Sequence, residues 1–214
     1  MKSKFYEGVV KIFGPVLRFI FRVKHHGLEN EPDISEGPYI LISNHISNAD
    51  PIFICCHGTK QQPHFMAKKE LFKIPLLNKL ISALGAYPVD RGGANVSAIK
   101  NSIKMLDEGK CIGIFPQGHR EKGKTPREVN LKNGAAMIAT RAEVDILPCC
   151  IRTKNNKFAF FRRVDVYVGK PIKFEELNYD PNASGEYTRI TNLLFERVCR
   201  MYEQAEAEAS KDAK

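Results

Sequence analysis

The sequence predicts a single α/β domain, with a mainly parallel mixed sheet flanked by helices and an amphipathic helix at its N-terminus. Two observations carry this. Short apolar runs alternate with stretches of helical periodicity, the signature of strands linked through helices. A chain of 214 residues is also long enough for one well-buried core and short for two. The expected division is residues 1–26 for the N-terminal helix and 27–214 for the remaining domain.

Composition narrows the function classes. Charged residues make up 27% and hydrophobic ones 43%, as in an ordinary globular protein. The net charge of +9 favours anionic partners: phosphate substrates, an acidic carrier, anionic lipid or nucleic acid. Nucleic acid ranks last, because the chain has no tryptophan and no zinc-finger spacing, ribonucleoprotein box or basic-aromatic stripe. Two pairs among the six cysteines are adjacent, Cys55-Cys56 and Cys149-Cys150. They lie in apolar runs without any Cys-x-x-Cys, so they read as reduced core residues. No metal site is expected: Cys55, Cys56 and His57 are consecutive and point in different directions. No run approaches the ~18 apolar residues of a spanning helix. A signal peptide is not expected either, because Lys11, Arg18 and Arg22 interrupt the N-terminal apolar residues.

Residues 4 to 23 read as the amphipathic helix. Phe5, Val9, Ile12, Phe13, Val16, Phe19, Ile20 and Val23 share one broad face at helical spacing. Lys4, Glu7, Lys11, Arg18 and Arg22 occupy the other, with Gly14 and Pro15 on the polar side as a bend. Either the apolar face covers the domain's own core, or it lies in a bilayer interface with its cations on acidic headgroups. The well-separated basic arc favours the interface. His25 and His26 read as exposed junction residues, and residues 28 to 38 as a connecting loop.

Tyr39 to Ile42 is a strand delivering the polar cluster Ser43, Asn44, His45, Ser47, Asn48 and Asp50. Asp50-Pro51 then opens a helix, with Asp50 as N-cap and proline in the first turn. A loop bending back at that point brings the Asp50 carboxylate onto one imidazole nitrogen of His45 and leaves the other facing a cleft. Such a pair can take a proton from a hydroxyl near neutral pH, since an unperturbed imidazole titrates near ~6.5. The plainer reading is a cap and a satisfied loop histidine.

Pro63 to Ala67 reads as a short strand, and Lys68 to Leu84 as a helix in two pieces broken at Pro75, packed as core or lining a channel. Arg91 and Gly92-Gly93 precede a helix from about Ala94 to Glu108. Cys111 to Phe115 is a second strand delivering a loop, residues 116 to 120. Residues 121 to 133 are basic and solvated, followed by a helix from Gly134 to Arg141 and a buried strand from Asp145 to Ile151. A hairpin is expected around Asn155-Asn156. Phe158, Phe160 and Phe161 read as a half-buried strand or a second membrane contact. Val164 to Val168 is a strand, and residues 185 to 206 form the terminal helix.

The Asn44-His45-x-x-x-x-Asp50 core resembles the active-site box of the glycerolipid acyltransferases, the 1-acylglycerol-3-phosphate acyltransferase type included. Gly85 to Arg91 resembles that family's second box, and Phe115-Pro116-Gln117-Gly118-His119-Arg120 its third, Phe-Pro-Glu-Gly-Thr-Arg. Ile146-Leu147-Pro148 resembles the fourth. The order is the same, and the four boxes fall within residues 38 to 152. The resemblance implies acyl transfer from a thioester, acyl carrier protein or coenzyme A, to the 2-hydroxyl of 1-acylglycerol 3-phosphate, with no cofactor. It implies His45 and Asp50 as the catalytic pair, and Arg91, Arg120 and Lys132 as phosphate ligands. Asn44, Gln117, Gly118 and His119 support the loops, with Asn44 near the oxyanion. The expected location is the cytoplasmic face of a membrane, without a spanning helix. Gln117 stands where the family has glutamate, His119 where it has a small hydroxyl residue, and Glu121 where serine is common. These departures leave open a different acceptor (another lysophospholipid or glycerol 3-phosphate). A hydrolase using the same His–Asp pair and a non-catalytic lipid binder are the remaining alternatives.

Overall fold

The computed structural model describes residues 2–89 and 96–211. Its strands are β1 (Lys24–His26), β2 (Tyr39–Ile42), β3 (His64–Lys68), β4 (Tyr87–Val89), β5 (Ile112–Ile114), β6 (Asp145–Thr153) and β7 (Val164–Val168). The helices are α1 (Lys4–Ile20), α2 (Asp50–Cys55), α3 (Pro75–Ala83), α4 (Val96–Asp107), α5 (Gly134–Ala142) and α6 (Glu186–Lys211). Among the described residues, seven strands join one sheet in the order β1-β7-β6-β2-β5-β3-β4. The five from β6 to β4 run parallel. β7 is antiparallel to β6, and β1 pairs parallel with β7. The α/β class and mainly parallel sheet expected from the sequence are borne out.

The strand period of two sorts the apolar residues onto two cores. Ile40, Ile42, Ile112, Ile114 and Ile146 face α4, α5 and α6, whose contributions include Leu106, Ile138, Leu194 and Val198. Tyr39, Leu41 and Leu147 face the other way, against Tyr6 and Phe21 of the N-terminal segment and Phe53 of α2. A strand covered on both sides can be apolar throughout, which is why the Tyr39 to Ile42 run is so legible. Small residues allow close fits. A Cβ on Gly113, in the middle of β5, would lie 2.2 Å from the Phe65 ring, so glycine there makes room for an aromatic of the neighbouring strand.

Helix α1 has three faces rather than the two expected. The face toward the domain carries Tyr6, Val10, Gly14 and Leu17. Gly14 does not lie on the solvent side as a bend: a Cβ there would be 2.4 Å from the Cys56 carbonyl oxygen, so glycine allows this close approach. The Tyr6 hydroxyl bonds to Thr59 Oγ1 at 2.7 Å, and the Gln62 side chain accepts from Ser3 N–H at 3.0 Å. The bulky face identified from the sequence is turned away from the core, with Phe5, Ile12, Phe13, Val16 and Phe19 all exposed. Only its C-terminal end, Ile20 and Val23, joins the domain's core.

Four further expectations are corrected. His25 and His26 are not junction residues but strand β1, paired with β7. His25 Nε2 donates to the Phe53 carbonyl at 2.8 Å, and His26 Nε2 meets Asp165 Oδ1 at 2.9 Å. The Lys68 to Leu84 stretch does break at Pro75, but no residue of α3 is buried. Leu71, Ile74, Leu76 and Leu80 are exposed, so this stretch is not core except at its end, where Leu84 packs against the Phe53 core. The expected hairpin around Asn155-Asn156 is present, with β6 and β7 antiparallel across the 154–163 turn and both asparagines at positive φ, but the strand reading of Phe158 to Phe161 is not. Phe158 packs on Phe21 and Phe53, whereas Phe160 and Phe161 project outward and form no strand. Finally, α6 continues to Lys211, beyond the expected end. All six cysteines are free and buried, as expected.

Burial first, and the neighbouring His57 second, push the His25 imidazole down to about 4. The unfolded chain therefore takes up this proton first, near 6.5, so stability falls as pH drops from about 6.5 toward 4. The expected contribution is roughly 3 kcal/mol. Urea unfolding at several pH values checks it: His25→Gln, which keeps a donor for Phe53, should show a shallower acid slope than the parent. Equal slopes would refute this assignment.

Candidate active site

Strands β2 and β5 are adjacent and parallel, so the loops that follow them leave the same edge of the sheet. One loop leads to α2 on the α1 face, and the other leads toward α5 on the opposite face. Loops diverging in this way open a crevice at the carboxyl ends of the strands, where open α/β sheets bind ligands.

In the first loop, Asp50 Oδ2 lies 2.7 Å from His45 Nδ1. The same oxygen accepts from Ile46 N–H at 2.7 Å and Ser47 N–H at 2.8 Å. A carboxylate offers only acceptors to these groups, so Nδ1 carries the proton and Nε2 is left as the basic nitrogen. Asp50 is wholly buried. It is the first helical residue of α2, and Ala49 is the N-cap, which corrects the expectation of an Asp50 cap. Its side chain folds back over the loop instead of capping the helix. The His45 ring stacks on Phe115 with centroids 4.0 Å apart and planes 14° from parallel. This aromatic contact fixes the plane of the ring while the carboxylate fixes its rotation.

The second loop holds the backbone of His45. Gln117 is buried, and its Oε1 accepts the His45 N–H at 2.5 Å. Glu121 N–H donates to the His45 carbonyl at 2.8 Å. Gly118 turns the chain at φ +72°, and its N–H donates to the Phe115 carbonyl at 2.9 Å. The Lys132 side chain crosses this turn, so a Cβ on Gly118 would be 2.8 Å from Lys132 Cδ. Lys132 N–H also donates to the Pro116 carbonyl at 2.8 Å. His119 and Arg120 are exposed at the tip.

Charge at the tip is already sorted. Glu121 accepts from His119 Nε2 at 2.8 Å and pairs with Lys124 at 2.8 Å. The Lys124 hydrogen bond, helped by the one from His119, holds the Glu121 carboxyl below the usual carboxylate range against the opposing effect of desolvation. Among the described residues, Arg120 and Lys132 have no carboxylate partner, so their charges remain available to an anion.

The structure thus brings together His45, Asp50, Gln117, Gly118, His119, Arg120 and Lys132. Arg91, with Asp90 and Gly92-Gly93, lies outside the described residues. Asn44 has a different task from the expected one. Its amide nitrogen donates to the Ile151 carbonyl and its oxygen accepts from Ile151 N–H, both at 2.8 Å. These bonds anchor the loop to β6 and commit the amide away from an oxyanion. Sequence reasoning missed Phe115 as the support of the imidazole; its place directly before Pro116-Gln117 was the available signal.

Comparisons with known proteins identify the family. The family profile described as Acyltransferase matches residues 22–152. A 1-acyl-sn-glycerol-3-phosphate acyltransferase of Bacillus subtilis is 29% identical over 178 residues, covering 82% of this chain and 86% of that protein. One of Streptococcus pneumoniae is 32% identical over 156 residues, covering 72% of this chain and 56% of that protein. Among solved structures, the 1-acyl-sn-glycerophosphate acyltransferase of Thermotoga maritima superposes with a TM-score of 0.71 at 27% identity. That match covers 94% of this chain and 80% of that one. With the profile matched over more than half of its length, the chain belongs to the Acyltransferase family.

Proposed function

We propose that the protein transfers a fatty acyl group from a thioester donor to the 2-hydroxyl of 1-acylglycerol 3-phosphate, yielding phosphatidic acid. The observation that carries this reading is the His45–Asp50 bond in the crevice between two strand ends, with Nε2 unengaged and two uncommitted cations nearby. The relatives named for this activity support the same acceptor. In the proposed reaction His45 Nε2 removes the hydroxyl proton as the alcohol oxygen attacks the thioester carbonyl. Asp50 holds the ring and stabilises the imidazolium. When the tetrahedral intermediate collapses, the C–S bond breaks and the imidazolium returns its proton to the departing thiolate. Arg120 and Lys132 bind the acceptor phosphate and so position the hydroxyl. Arg91 is proposed as a third phosphate ligand on the family resemblance. A basic surface suits either donor, acyl carrier protein or coenzyme A, both of which are acidic.

The same reading takes the protein to the surface of an anionic membrane. No helix among the described residues is long and apolar enough to cross one. The exposed aromatic and aliphatic face of α1, with Lys4, Lys11 and Arg18 beside it, supports a helix lying in the interface. Phe160, its ring centroid 5.4 Å from that of Phe21, extends this face beyond the end of α1. The cytoplasmic side is proposed from the thioester donors, which are made there.

Four substitutions separate the roles. His45→Ala should lower kcat about 10²–10⁴-fold with little change in unfolding free energy; turnover at the parental rate would refute the mechanism. Arg120→Ala or Lys132→Ala should raise KM for the phosphorylated acceptor about tenfold or more, and equal KM values would remove that residue from the phosphate site. Asn44→Ala should instead cost about 2–4 kcal/mol of stability, because it strands both backbone groups of Ile151. Product analysis by mass spectrometry, using both thioester donors and a panel of lysophospholipids, tests the overall reading.

A further inference from the structure

The outward row of α3 and the turn before it has no role in the site or the cores. Leu71 is 38% exposed, Ile74 50%, Leu76 84% and Leu80 46%. The helix already packs inward through Leu77, Asn78 and Ile81, which are half-buried. Lys68, Lys73 and Lys79 are exposed on the same segment, with Glu70 as its one exposed carboxylate, 3.6 Å from Lys68. Isolated exposed leucines need no explanation, but a contiguous aliphatic row rimmed by cations does.

We propose that this segment is a second membrane contact, which inserts its aliphatic row into an anionic bilayer on the far side of the active-site cleft from α1. The proposal rests on the lipid-acceptor reading above. Continuity with α1 is its first support. Strand registers show α1 running from the amino-end edge of the sheet toward the edge that carries His45, and α3 running back the other way. The two helices meet at Gln62. Its Oε1 accepts from Ser3 N–H ahead of α1, and its Nε2 lies 2.8 Å from where a Cβ on Gly85, just beyond α3, would be. Leu84 packs into the same core as Val10 and Leu17 of α1. Both exposed rows therefore border one face of the sheet, the face on which His45 stacks over Phe115 and Phe65.

Charge selects the occupant. Anionic headgroups complement the lysine rim, whereas a second copy of this chain docked on the same face would bring lysine against lysine. A single interfacial helix leaves the protein free to roll about that helix's axis. A second contact across the cleft removes this freedom and sets the crevice against the bilayer, from which a lipid acceptor enters sideways.

The absence of tryptophan from the chain makes each contact separately readable. Phe19→Trp, Leu76→Trp and, as a control on the opposite face, Asn192→Trp each place one fluorophore at an exposed position in the full-length protein. Vesicles of phosphatidylcholine mixed with phosphatidylglycerol should shift Leu76→Trp emission to shorter wavelength, and brominated acyl chains should quench it. Asn192→Trp should do neither. Leu76→Glu combined with Leu80→Glu should weaken vesicle partition more than about tenfold. A response from Phe19→Trp without one from Leu76→Trp overturns the proposal and leaves α1 as the sole anchor. A Leu76→Trp shift caused by acyl carrier protein but not by vesicles overturns it in favour of a protein-docking face. Acyl transfer by the unaltered protein to detergent-dispersed acceptor, measured in parallel, reads the catalytic proposal separately: its absence would sink that reading while the fluorescence result stood.

Discussion

One buried oxygen, Oδ2 of Asp50, organises the loop that carries His45. It collects the imidazole N–H and two backbone N–H groups of the same loop. A buried carboxylate is costly unless several donors meet it, and here the loop supplies them. The loop closes because the charge needs partners, and the imidazole is aimed because it is one of those partners. Fold stability and geometry of the basic nitrogen are thus a single requirement.

The next layer of constraint comes from chain segments far apart in sequence. The N–H and C=O of His45 are both held by the loop after β5, through Gln117 and Glu121. Asn44, one residue earlier, is held by β6. Three neighbouring strands therefore grip two consecutive residues. This follows from the parallel pairing of β2 with both β5 and β6, which brings all three carboxyl ends to one edge. The site exists only once the central sheet does, since none of its supports is local to the His45 loop except Asp50.

Much of this was legible beforehand, and the remainder was hidden for specific reasons. The β2 and β5 runs are apolar throughout because the sheet is covered on both faces, and each runs directly into its polar loop. His45, Asp50 and the 117–120 turn could accordingly be named. The ties between the loops could not, because no pattern in the sequence marks which side chain accepts a given N–H across 72 residues. Strand β1 was invisible: three residues, two of them histidine, carry no strand signature, and their pairing partner is β7, where His26 is in register with Tyr167 far along the chain. For α1 the periodicity and the outward turn of the bulky face were legible, but the row that packs inward was not. Its inward row includes a glycine, chosen for closeness rather than hydrophobicity, and is outweighed in bulk by the outward one. Reading an apolar row as inward made α3 look like core.

The way Glu121 is attached has implications for how this scaffold changes its diet. Its grip on the histidine runs through the peptide N–H, which almost any amino acid could provide, while its side chain faces the entrance along with those of His119 and Arg120. On the proposed reading, chemistry and recognition are wired to different atoms of the same few residues. The entrance could then be rewritten side chain by side chain, to suit other headgroups, while the backbone bond that holds His45 stayed in place.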